Sequence, residues 1–140
     1  MRNEVLILLL TIVSVSIISG CTSSRMSLVD QELVSVEKVP NERIEILWTD
    51  VYQDGEKVTV SGALKQHGHL SSPVKAHVDA SIIGPDGVVI EESSSPVLLV
   101  PRNIGGGGID WERFRIHLQN PPPQGSQVKL TVHSEIHNNS

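Results

Sequence analysis

From Leu28 onward the apolar residues recur at every second position, and that period restricts the chain to strands that each bury one face. In residues 74–84, Val74, Ala76, Val78, Ala80 and Ile82 alternate with Lys75, His77, Asp79 and Ser81, the pattern of a half-buried strand. Residues 127–136 repeat it, with Val128, Leu130, Val132 and Ile136 on one side and Lys129, Thr131, His133 and Glu135 on the other. Only Ser134 interrupts the apolar side. Residues 113–118 set Phe114, Ile116 and Leu118 against Arg113, Arg115 and His117, and residues 57–64 align Val58, Val60, Gly62 and Leu64. Further strands are expected at 33–39, 43–52, 88–92 and 97–100, and no helical stripe follows residue 28. Asp54-Gly55 and Pro85-Asp86-Gly87 read as hairpin turns, because glycine accepts the positive φ such turns need and proline presets its own. Pro101 ends one strand, and Pro121, Pro122 and Pro123 impose an extended turn before the last.

Seven or eight short strands at near-regular spacing within residues 28–140 predict one all-β domain, an antiparallel sandwich, with a small closed barrel as the alternative. The strand order, the Asp54-Gly55 turn and the late Phe114-x-Ile116-x-Leu118 strand resemble immunoglobulin-like or fibronectin-type-III-like domains. The chain departs from true immunoglobulin domains in lacking their cysteine pair, since Cys21 is its single cysteine.

The N-terminus has a different composition. After a polar head at 1–4, in which Glu4 offsets Arg2, residues 5–18 form an apolar run broken only by Thr11, Ser14 and Ser16. A membrane-spanning helix needs about 20 predominantly apolar residues, whereas an export signal needs about 7–15, so the length favours a signal. The run ends in Ile18-Ser19-Gly20-Cys21, which resembles the lipobox of bacterial lipoproteins: an aliphatic residue, two small residues and the cysteine that is modified. The resemblance implies cleavage before Cys21, a diacylglyceryl group on its thiol and a further fatty acyl chain, such as palmitate, on the new amine. Several chains hold a protein on a membrane without a spanning helix. Within that family an aspartate after the cysteine favours the inner membrane; Thr22 here implies the outer membrane, facing the periplasm. The expected organisation is a signal peptide at 1–20, a lipidated tether at 21–27 and the sandwich at 28–140.

A formal net charge of −5 argues against a nucleic-acid partner, which requires a basic footprint. The four glycines at 105–108 lack the Lys-Ser/Thr of a phosphate loop and precede a strand, so they read as a plain loop. Serine, histidine and aspartate are all present but in no nucleophile signature, and no catalytic residue or cofactor is assigned. His67 and His69 are close enough in sequence to reach one ion, a spacing that solvated loop pairs share, and no metal ligand set is assigned to them. Trp48, Trp111 and Tyr52 read as core or rim residues.

The candidate binding residues are the outward cations His77, Arg113, Arg115, His117, Lys129 and His133. If their three strands are neighbours in one sheet, they form one cationic face, partly neutralised by Asp79 and Glu135. Such a face suits an acidic protein segment or anionic head groups, with Arg113 and Arg115 as principal contacts through bidentate guanidinium pairing. The functional expectation is a noncatalytic binding or assembly module of the cell envelope, anchored through Cys21 and serving an envelope protein partner. The alternatives are a histidine-based metal-binding periplasmic protein and a hydrolase built on a β-sandwich.

Overall fold

The computed structural model describes residues 24–68, 72–103, 105, 106 and 108–135, and among these there are nine strands and no helix. They are β1 (Met26–Ser27), β2 (Val34–Lys38), β3 (Ile44–Asp54), β4 (Lys57–Gln66), β5 (Val74–Ile83), β6 (Val89–Ser94), β7 (Leu98–Val100), β8 (Trp111–Leu118) and β9 (Ser126–Ser134). The first sheet runs β1-β3-β4-β8; the second runs β2-β9-β5-β6, with β7 also paired to β5. All eight expected strands are present, and the two-sheet sandwich is the expected architecture. One departure from a purely antiparallel sheet is β2, which lies parallel to β9.

The period-two pattern explains the packing directly. Val58, Val60 and Leu64 of β4 and Phe114 and Ile116 of β8 face Val78, Ala80 and Ile82 of β5 and Val128 and Leu130 of β9, all of them buried. Apolar area removed from water at about 25 cal/mol per Å² is what holds the sheets together. Gly62 lies opposite Phe114 in the ladder, and a Cβ there would stand 2.6 Å from the Phe114 ring, so the ring fills the space that a side chain at 62 would need. The β3–β4 connection is a two-residue hairpin turn in which Gly55 takes φ 62°, as a II′ turn requires of its first central residue.

Two local features depart from simple alternation. In β3 the register shifts between Ile46↔Leu64 and Trp48↔Ala63, leaving Leu47 as an extra residue. The bulge converts an even-inward phase, Ile44 and Ile46, into an odd-inward one, Thr49 and Val51, and thereby sends Trp48 to the outer face. At the start of the fold, Met26 and Ser27 pair with Gln53 and Tyr52, and the Ser27 hydroxyl donates to Asp50 at 2.8 Å. The first described strand therefore starts two residues before Leu28, inside the stretch read from sequence as tether. Leu28 itself is buried, with its N–H bonded to the Val51 carbonyl at 2.7 Å.

The loop between β2 and β3 carries the chain from the second sheet to the first. Asn41 fixes it: its Oδ1 accepts from the backbone of Arg43 and Ile44, and its Nδ2 donates to the Val132 carbonyl at 3.1 Å. At the far end of the sandwich the Glu91 carboxylate of β6 accepts from the Gln119 backbone at 2.7 Å, tying the end of β8 to the second sheet.

Candidate functional site

The expected single cationic face does not form. β5 and β9 are neighbours in the second sheet, but β8 is the edge strand of the first, so the six candidate residues divide between opposite outer faces. Arg113, Arg115 and His117 lie on one; His77, Lys129 and His133 lie on the other. The reason is connectivity, because the chain returns to the first sheet after β7 and crosses to the second again after β8. Alternation shows which side of a strand faces water; it carries no information on which sheet holds the strand.

On the first sheet, the outward residues of central β4 are small: Thr59, Ser61 and Ala63. Although they face away from the core they are only 4%, 4% and 0% exposed, because long side chains from both neighbouring strands close over them. The Arg113 guanidinium stands 5.5 Å from the Trp48 ring centroid, across the row that holds Ala63. His117 Nδ1 is 3.1 Å from Thr59 Oγ1. On the other flank Arg25 lies 3.5 Å over the Tyr52 ring and pairs with Asp50 at 3.7 Å. Trp48 and Tyr52 thus act as rim residues on which arginines rest.

Arg113, Arg115 and His117 also form one wall of a groove of about 610 Å³ whose other wall is Ser94, Pro96 and Leu98, from the β6–β7 connection. β8 is paired only with β4, so among the described residues its second edge has no strand partner. Pro96 and Leu98 supply its apolar surface. The groove therefore combines cations, apolar surface and an unpaired strand edge. Below it the chain is pinned by Lys65, whose ammonium lies 2.9 Å from Asp110; that hydrogen bond holds the Asp110 carboxyl below its ordinary pKa.

On the second sheet, His77 and His133 are directly opposite in the β5–β9 ladder, and their rings stack with centroids 5.1 Å apart. Asp79, two residues along β5 on the same face, lies 3.0 Å from His133 Nε2 and 3.7 Å from His77 Nε2. It also accepts from the Ser94 hydroxyl at 2.5 Å. Asp79, which sequence reasoning treated as a partial neutraliser, is the centre of this cluster. The signal for it was His77-x-Asp79 on one strand face; the missing information was the β5–β9 register. Lys129 lies farther along β9, opposite Ser81 and beside Glu37 of β2, and does not join the histidines.

Cys21, His69 and His137 lie outside the described residues. His67 follows β4, with its N–H bonded to the Arg43 carbonyl at 2.7 Å. Among the described residues no helix is long and apolar enough to cross a membrane. Comparison with protein-family models, with curated proteins and with solved structures returns no match.

Proposed function

We propose that this chain is a lipid-anchored protein of the cell envelope, held on the outer membrane facing the periplasm by acyl groups on Cys21. Its domain acts there as a noncatalytic binding or assembly module. The anchor rests on Ile18-Ser19-Gly20-Cys21. An immunoglobulin-like subtype is supported by the pairing of β4 with β8 in one sheet and β5 with β9 in the other, which matches the B–E and C–F pairs of that fold. The parallel β2 beside β9 takes the place of its last strand.

The observation that carries the binding role is the groove beside β8. It lies on the opposite edge of the first sheet from β1, three inter-strand spacings or about 14 Å away. Cys21 precedes β1 by five residues, a reach of at most about 18 Å. The anchor therefore holds the β1 edge near the lipid surface and leaves the β8 edge available to a partner. Arg113 and Arg115 are two residues apart on one side of a strand, so their cations recur at about 6.8 Å. An extended segment with carboxylates at alternate positions matches that repeat and adds main-chain hydrogen bonds along β8. The partner is accordingly an acidic, extended segment of an envelope protein.

A photoreactive side chain at Pro96, an exposed residue that lines the groove, tests this in intact cells. The account predicts one discrete protein adduct, reduced about tenfold or more in the Arg113→Glu/Arg115→Glu double variant and in high salt with the isolated complex. An undiminished adduct from a double variant with an unchanged circular dichroism spectrum contradicts the groove as the docking site.

A further inference from the structure

The outer face of the second sheet points to a second site, and we propose that His77, Asp79 and His133 bind a divalent transition-metal cation, zinc or copper(II). The proposal does not rest on the anchor or on the groove, since none of its three ligands lines the groove and Ser94 alone borders both. Both imidazoles turn Nε2 toward one carboxylate, and the three ligand atoms all lie within 4.8 Å of one another. Ligands around a tetrahedral zinc at 2.0–2.2 Å are about 3.3 Å apart; His133 Nε2 lies 3.0 Å from Asp79 Oδ2, and His77 Nε2 lies 3.7 Å from the other oxygen, Oδ1. The remaining adjustment falls on side chains that are 33%, 39% and 52% exposed for His77, Asp79 and His133, whose rotation displaces nothing in the core.

The scaffold is suited to hold such a set. His77 and Asp79 come from β5, the central strand of its sheet, and His133 is fixed opposite His77 by the ladder, so backbone hydrogen bonds set all three Cα positions. Ser94 of β6 donates to Oδ1 of Asp79, which orients the carboxylate and leaves Oδ2 turned to His133, the role outer hydrogen bonds play around ligating carboxylates.

The cluster offers two imidazoles, with ring centroids 5.1 Å apart, and one carboxylate to a single shared cation. A divalent cation takes a lone pair from each neutral ring and one carboxylate oxygen together. Two nitrogens and one oxygen select borderline metals such as zinc and copper(II) rather than calcium or magnesium, which take all-oxygen sets. Three protein ligands leave a fourth position directed to solvent, open to water or to a donor from another molecule.

Titration of the full-length chain in detergent micelles with zinc and with copper(II), against a chromogenic chelator, tests the site. At least one of the two metals should bind at one equivalent, with affinity lowered tenfold or more by His77→Ala, by His133→Ala and by Asp79→Asn. His67→Ala should leave it unchanged, and the His77 and His133 imidazole NMR signals should shift together on metal addition. Absence of saturable binding of both metals overturns the proposal. So does binding that survives the His77 and His133 changes, or that is lost with His67→Ala instead. Because these side chains lie outside the core, circular dichroism of each variant separates lost ligation from lost folding.

Discussion

Phe114→Ala is expected to destabilise the domain by about 3–5 kcal/mol, read as a fall in the urea midpoint of the full chain with the m-value unchanged. Phe114 is the largest fully buried side chain, and it projects from an edge strand into the space between the sheets. Its ring packs over Gly62 of the neighbouring strand, so truncation removes aromatic area from the core and also uncovers a backbone position that has no side chain of its own. Relaxation cannot close the cavity, because Gly62 is locked in the ladder on both sides by β3 and β8. A loss of only a few tenths of a kcal/mol would mean that the ring is not in the core.

The complementary change is Gly62→Ala, expected to cost about 1–3 kcal/mol or more although alanine is otherwise the better residue in a strand interior. The added Cβ meets two obstacles: the Trp48 carbonyl oxygen and the Phe114 ring, the latter at 2.6 Å. The two substitutions must therefore couple. In the Gly62→Ala/Phe114→Ala double variant the new methyl enters space the ring has vacated, and the combined loss should fall short of the sum by about 1 kcal/mol or more. A remainder from the Trp48 carbonyl persists, since backbone has no other place to go. Strict additivity in the four unfolding curves would show that ring and glycine do not touch.

That contact illustrates what the sequence makes legible. Alternation alone places Phe114 and Gly62 inward, and both are inward, because a strand's face is a local property of period two. Their mutual contact depends on the β4–β8 register, which arises from pairing partners 46 to 60 residues apart. The same distinction governs the sites. Arg113, Arg115 and His117 are outward as expected, yet their strand belongs to the sheet opposite His77, Lys129 and His133, and the single cationic face divides into a groove and a histidine–aspartate cluster. The bulge at Leu47 is not among the expected features, since 43–52 reads as one strand; the change of phase from Ile44 and Ile46 to Thr49 and Val51 emerges with the β4 register and accounts for the outward position of Trp48. The short β1 carries no periodic signal: two residues are too few to show a period, and its position is set by the ladder with β3 and by the Ser27–Asp50 hydrogen bond.

The proposed anchor would decide how these surfaces are presented, for a domain tethered at Cys21 would offer the β8 edge to a partner, whereas a freely diffusing one has no preferred side. Mass spectrometry of the N-terminal peptide, taken from the membrane fraction of cells producing the full chain, tests this claim most directly. The account predicts an N-terminus at Cys21 bearing a diacylglyceryl group on sulfur and an acyl chain on nitrogen, and a precursor that is neither cleaved nor lipid-labelled when Cys21→Ser is introduced. An unmodified N-terminus at any other residue, or a free thiol at Cys21, would contradict it.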